Sequence, residues 1–306
     1  MAAGEMLGYA KWWVGSKFGS KAPLVNTLII HYGCNLRCKH CSIFSSGIDG
    51  IGKNKLSYQE ITDDLKLQYK NGARIAYFEG GEPTMWSDNG KNLGDIIKVA
   101  KDIGYKNVGY TTNGMNEFFT GSDVIAVSLD GPKEIHDMIR GEGTFDKLME
   151  NISKAEFTGS IYANVVIQRD NIGCIEEVAK LVADNKKLSG AIFNFITPPP
   201  QELMLTLEEK KAAVAELSEL KKKGLPILNS RHGLELLIEE DWSKKCPYNF
   251  TVFMTPDGTH YNGCPMQNTP ACEKCGFAAV REYYLIKKGS ISTITEMSSV
   301  FAMSKK

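Results

Sequence analysis

From residue 26 to about 224, short apolar runs alternate with longer segments of helical period. The runs are rich in β-branched and aromatic residues, the composition of strands buried on both faces, and the intervening segments repeat apolar side chains every three or four positions. That pattern specifies successive βα units and a parallel sheet. Strands are predicted at 27–32, 74–78, 107–112, 124–129, 162–167 and 191–196. The fold class expected is α/β, a partial (β/α)6 TIM barrel, three quarters of the eight-unit closed form.

Two of the helices announce their starts. Ser57 and Glu60 stand three apart as a capping box, Leu56 and Ile61 can staple across it, and Asn71 and Gly72 end the segment. Thr206 and Glu209 repeat the pattern, and Gly224 and Pro226 stop that helix. Beyond about Arg231 the period changes to a short helix, an apolar run from Phe250 to Met254, a Pro256-Asp257-Gly258 turn and a second run up to Cys264, which predicts a β-hairpin carrying cysteines. At the front, Leu7, Ala10, Val14 and Phe18 can share a helix face, with Trp12 and Trp13 beside it and Lys17 interrupting it. The expected division is a leader at 1–24, a barrel at 25–230 and a cysteine-rich extension at 231–306.

The chain has 306 residues, 42% of them hydrophobic, enough for a large core. Lysine plus arginine numbers 36 and aspartate plus glutamate 36, so no global field recruits nucleic acid. No long apolar run or secretion signal is present, and the expected compartment is the cytoplasm. Thiols there stay reduced, so eight cysteines, seven of them in two groups, point to metal ligation rather than disulfides. The eighth, Cys174, reads as a small buried residue.

The first group, Cys34, Cys38 and Cys41, follows the first strand directly in the stretch "GCNLRCKHC". Half of a zinc site and three ligands of an iron-sulfur cluster both fit three clustered thiols, although a structural zinc site closes its coordination with a fourth ligand. His40 lies between Lys39 and Cys41 and would have to turn with them to supply one.

This Cys-x3-Cys-x2-Cys spacing resembles the signature of the radical SAM superfamily. The resemblance implies a [4Fe-4S] cluster on the three cysteines, with one iron left open for the amino and carboxylate groups of S-adenosylmethionine, and His40 beside the adenine, where the family often has an aromatic residue. Later strand ends extend the likeness in order. Glu79-Gly80-Gly81-Glu82-Pro83 is similar to the "GGEP" segment, whose bare backbone at Gly80 and Gly81 would approach the methionine ammonium. Thr112 and Asn113 end the third strand. Ser128-Leu-Asp130-Gly-Pro, then His136-Asp137 and Arg140-Gly-x-Gly143-Thr-Phe-Asp146, resemble the run found in members that modify peptides or make cofactors. By that match Ser128 and Asp130 would hold the ribose hydroxyls and Arg140 the carboxylate. Ile167 would cradle adenine, with Gln168 and Asn171 finishing the wall. Each strand-end segment taken singly also reads as an ordinary turn. All stand where barrel folds place their chemistry, at the C-terminal ends of strands.

The second group, Cys246, Cys264, Cys272 and Cys275, is a complete set of four. Its hairpin context resembles a twitch domain or shortened SPASM domain holding a second [4Fe-4S] cluster; a zinc ribbon is the alternative.

The resemblance implies reductive cleavage of S-adenosylmethionine to a 5'-deoxyadenosyl radical and hydrogen abstraction from an unactivated carbon. A low-potential reductant such as a flavodoxin or ferredoxin would supply the electron, and the substrate would be a peptide or small molecule. Asn194 to Pro200, leaving the sixth strand, is the candidate substrate wall, or simply a stiff loop. Membrane lipid is the alternative substrate, with peripheral membrane contact through the leader's lysines and tryptophans; 220–237 also resembles lipid-pathway members, while the leader could equally plug the barrel bottom. A non-catalytic iron-sulfur or zinc scaffold, or an electron carrier, is the alternative of another class.

Overall fold

The computed structural model describes residues 12–16, 20–45, 53–197 and 200–302, with side chains up to 297. Leu7, Ala10, Lys17, Phe18 and the middle prolines of the candidate substrate wall lie outside these.

The expected strands form with small shifts at their ends: β1 Val25–His31, β2 Ile75–Gly80, β3 Asn107–Thr112, β4 Val124–Ser128, β5 Ser160–Ile167 and β6 Leu188–Phe195. They pair in parallel and in chain order. Between them lie α1 Tyr58–Asn71, α2 Leu93–Ile103, α3 Lys133–Arg140, α4 Thr144–Lys154 and α5 Ile175–Asp184, and after β6 comes α6 Leu207–Lys222. Both expected capping boxes are made, Ser57 with Glu60 and Thr206 with Glu209. A further one, Asn92 with Asp95, starts α2.

The sheet curls. Strands β2 and β5 are separated by β3 and β4, a flat distance of about 14 Å at the usual strand spacing, yet the hydroxyls of Tyr77 and Tyr162 lie 3.4 Å apart. These rings point into the concave face. The convex face is covered by helices, and Leu28, Phe78, Tyr110, Val127 and Phe193 are wholly buried there. Alternation along each strand sends one set of side chains to that core and the other to a lumen.

After α7 Arg231–Leu236, the chain makes the expected hairpin, β7 Thr251–Met254 and β8 His260–Asn262, around a turn where the Asp257 carboxylate accepts hydrogen bonds from Thr255 Oγ1, Thr259 N and Thr259 Oγ1. The hairpin does not stand alone. β7 pairs in parallel with β1, from Val25 with Thr251 to Leu28 with Met254, and extends the sheet to eight strands, β8-β7-β1-β2-β3-β4-β5-β6. His260 Nε2 contacts Asp64 Oδ1 at 2.7 Å and so ties the hairpin to α1. α8 Ala278–Lys288 and α9 Ile291–Ala302 end the described chain.

The leader's tryptophans are docked on the protein. Trp12 Nε1 donates to the Ala22 carbonyl, its ring packs edge-on against Phe250 at 4.9 Å, and Trp13 Nε1 donates to the Ile286 carbonyl. Indoles held this way are not offered to a lipid surface, which removes the support for membrane contact. Among the described residues no helix is long and apolar enough to cross a membrane.

Candidate functional site

The loop carrying Cys34, Cys38 and Cys41 leaves the C-terminal end of β1, and neighbouring strand ends grip it. Gly81 N donates to the His31 carbonyl and Glu82 N to the Gly33 carbonyl, both at 2.8 Å. A Cβ on Gly81 would fall 2.1 Å from the Gly33 oxygen, and one on Gly80 would fall 2.3 Å from that of His31, so only glycine permits this approach. Lys39 N donates to the Ile139 carbonyl and anchors the far side of the loop on α3. His31 Nε2, 2.8 Å from the Glu82 carbonyl, completes the clamp.

Glu82 is wholly buried, and its carboxylate accepts hydrogen bonds from Thr84 N, Thr84 Oγ1, Thr112 Oγ1 and Asn113 N, the last at 2.6 Å. Burial raises its pKa and these donors pull it back. Glu82 and Thr112 therefore brace strand ends. Asn113, fixed by this brace, sends Nδ2 to Asn35 Oδ1 at 2.7 Å and lies 3.7 Å from Cys34 Sγ.

On the other side Arg140 Nε donates to Asp130 Oδ2 at 2.7 Å, while Arg140 Nη1 lies 3.9 Å from Cys38 Sγ. Asp130 Oδ1 accepts from Val166 N at 2.9 Å. Burial works to raise the Asp130 carboxyl, but the Arg140 cation and the Val166 amide outweigh it and hold it below the ordinary value. Both carboxylate oxygens are engaged by the protein, so the structure places Asp130 as the anchor of Arg140. Ser128 is buried on the lumen face of β4. The His40 ring lies 3.8 Å from Asp130; burial brings its pKa down to about 4, so it is neutral, and its buried Nδ1 has no partner among the described residues.

Ile167 requires a correction. Its side chain lies in the helix-covered core, and its carbonyl accepts from Ile196 N. Period-two alternation turns Tyr162, Asn164 and Val166 to the lumen and Ile167 away from it. Gln168 follows on the lumen side. It is wholly buried, and among the described residues neither its Oε1 nor its Nε2 has a partner. Asn171, by contrast, is fully engaged with Gln168 N, the Asp130 carbonyl and the Val166 carbonyl.

Two buried amide atoms without partners are costly unless a ligand completes them. Adenine presents a donor beside an acceptor, which is what a carboxamide pairs with. Burial raises the Cys34 and Cys38 thiols, the direction that a bound cation reverses. The residues present thus fit a metal-thiolate centre carrying an adenosine-bearing cofactor.

The second group lines one recess, walled by Cys246, Cys264, Cys272 and Cys275 together with Trp242 and Phe277. Among the described residues no three His, Cys, Asp or Glu side chains are arranged as they stand to hold a metal ion; the sulfurs here share a cavity instead. Burial, with the neighbouring cysteines adding, pushes Cys246 up to about 12; burial is again the main cause for Cys264, at about 11. Met266 N donates to Cys264 Sγ at 3.3 Å. Arg281, which the sequence reading passed over, directs Nη1 to Cys275 Sγ at 3.3 Å; its only signal is its place shortly after that cysteine, in the first turn of α8.

The segment expected to form the substrate wall holds this second site to the barrel. Phe195 N donates to the Gly276 carbonyl, Gly276 N to Thr197 Oγ1, and Ala278 N to Asn194 Oδ1, and Thr197 reaches the recess of the four cysteines. Cys174 is buried, and its Sγ donates to the Asn171 carbonyl.

A curled parallel sheet with a three-cysteine loop clamped by its strand ends defines an α/β-barrel enzyme. The family model described as the radical SAM superfamily matches residues 28–182, and the chain belongs to that superfamily. Mycofactocin maturase MftC of Mycolicibacterium smegmatis is 34% identical over 177 residues, 54% of this chain and 43% of that protein. The Fe-coproporphyrin III synthase of Methanosarcina barkeri is 29% identical over 216 residues, 63% of this chain and 51% of that one. The chain spans about half the length of these curated relatives. Among solved structures, native anSMEcpe with bound AdoMet and a Kp18Cys peptide superposes with a TM-score of 0.62 at 18% identity, covering 93% of this chain and 84% of that one. Streptococcus suis SuiB bound to its precursor peptide SuiA gives 0.63 at 13% identity, covering 97% and 72%. At those identities the likeness is one of fold.

Proposed function

We propose that the chain binds a [4Fe-4S] cluster through Cys34, Cys38 and Cys41, together with S-adenosylmethionine, and removes hydrogen from an unactivated carbon of a peptide. When bound, the pair supplies one-electron chemistry that no side chain can. The observation that carries the reading is the approach of two groups to the cysteine sulfurs, Asn113 from the end of β3 to Cys34 and Arg140 from the end of α3 to Cys38. The Asn113 amide and the Arg140 cation both stabilise thiolate. Asp130 aims Arg140, Glu82 aims Asn113, and Gln168 offers an amide edge to adenine. Ser128 Oγ stands on the lumen face for a ribose hydroxyl. A peptide substrate is favoured by the bound peptides of anSMEcpe and SuiB, whose folds this chain shares along nearly its whole length.

A second [4Fe-4S] cluster in the recess of Cys246, Cys264, Cys272 and Cys275 belongs to the same proposal. The barrel at 25–230 and the extension at 231–306 would then meet across the β1 and β7 pairing, and a flavodoxin or ferredoxin would deliver the electron. Anaerobic reconstitution with iron and zinc counting tests the metals: about eight irons per chain supports two clusters, and about four with one zinc supports a ribbon. The reduced protein is expected to release 5'-deoxyadenosine from S-adenosylmethionine and Cys38→Ala to release none; absence of release from the unmutated protein refutes the enzyme reading.

A further inference from the structure

The barrel lumen contains a carboxylate that the cofactor site does not use. On β2 the core takes Ala76 and Phe78, and alternation turns Tyr77 and Glu79 inward. Tyr162 on β5 enters from the opposite wall and Tyr283 on α8 from below, where it stacks on Phe250 at 4.2 Å. Tyr77 is fixed by its hydroxyl contacts to Thr111 at 3.1 Å and to Tyr162. The Glu79 charge is felt by Tyr77, Tyr162, Tyr283 and Cys264. Glu79 thus shares the inward face of β2 with Tyr77, beside the Tyr77–Tyr162 contact and one residue before the Gly80-Gly81 clamp.

The lumen face is not packed shut. Ile29, Tyr77, Glu79, Thr111, Tyr162 and Asn164 are only half-buried, although they sit on strands paired on both sides and their convex neighbours are buried completely. Among the described residues no charge compensates Glu79. Burial alone brings its pKa up to about 7, with no cation or hydrogen-bond donor offsetting it. An uncompensated carboxylate in such a place is destabilising and is retained where a ligand supplies the missing charge.

We propose that Glu79, with the rings of Tyr77, Tyr162 and Tyr283, forms a substrate-recognition site for a protonated amine. A metal ion suits the place poorly, because a hard cation asks for several oxygen ligands and one carboxylate is present. Aromatic walls around a single carboxylate suit an alkylammonium, whose charge meets the carboxylate while ring faces cover its methylenes. The inference rests on the reading of the chain as an enzyme that binds its substrate in the lumen, and it narrows the substrate class to amine-bearing peptides, lysine side chains or free N-termini.

The test is a binding measurement on the anaerobically reconstituted protein loaded with S-adenosylmethionine. The probes are N-acetyl-lysine N-methylamide and its neutral counterpart N-acetyl-norleucine N-methylamide, titrated calorimetrically. The lysine probe is expected to bind about tenfold more tightly. Glu79→Gln should bring the two probes to equal affinity, and Glu79→Asp, which keeps the charge, should keep most of the difference. Equal affinity in the unmutated protein, no binding of the lysine probe, or a preference that survives Glu79→Gln overturns the inference. Should Glu79→Gln fail to fold, the unmutated protein and Glu79→Asp still decide it. Peptide modification is read separately by mass change: unmodified peptides with intact amine selectivity remove the peptide-modifying reading alone, and modified peptides without selectivity remove this inference alone.

Discussion

Arg281 Nη1 lies 3.3 Å from Cys275 Sγ, with the same guanidinium donating to the Cys275 carbonyl at 2.6 Å and lying over the Trp242 ring at 4.2 Å. A buried cation is thus built into the wall of the four-cysteine recess, and α8 carries it there.

Replacing Arg281 by Met should loosen that wall. The carbonyls of Leu236, Glu239 and Cys275 lose a donor, and the expected cost is about 3 kcal/mol of stability. Chemical denaturation measures it. Metal counts after reconstitution should fall in the second site and stay unchanged in the first.

Glu82→Gln is nearly isosteric but replaces an acceptor oxygen by a donor where four donors converge. The mismatch should cost roughly 2 to 3 kcal/mol, read as a fall in melting temperature. Affinity for S-adenosylmethionine should fall too, because Asn113 loses its anchor.

His136 is wholly buried, and burial, with Arg140 adding, brings its pKa from 6.5 to about 4. Its Nδ1 accepts from Asp130 N, a bond that needs the neutral ring. Between those values the unfolded chain binds a proton that the folded one refuses, so stability falls as pH drops from 6.5 to about 4, by up to about 3 kcal/mol. His136→Leu should flatten this part of the stability profile, measured by denaturant titration at several pH values.

Gln168→Leu removes two buried polar atoms that have no partner among the described residues. The variant should be as stable as the parent or slightly more so, while S-adenosylmethionine binding weakens about tenfold. An unchanged dissociation constant would remove Gln168 from the adenine wall.

Much of this was legible in local sequence. Ser57 with Glu60 and Thr206 with Glu209 are caps whose partners lie three residues apart, so no tertiary knowledge is needed to see them. The cysteine spacing and the order of strand-end motifs are equally local, and they carried the family resemblance. Ile167 was misread because a motif match does not say which way a side chain at a strand end points. The membrane reading of Trp12 and Trp13 lacked Phe250 and Ile286, more than 200 residues away.

By itself the sequence determined the elements and the two cysteine groups, because hydrophobic period, helix caps and cysteine spacing act over a few residues. Tertiary structure decided that Asp130 holds Arg140, that β7 joins β1, that Asn194 and Thr197 fasten the second cysteine group, and that Tyr77 meets Tyr162 across the sheet. Those relationships depend on the curl of the sheet, which brings residues from non-adjacent strands within hydrogen-bond reach.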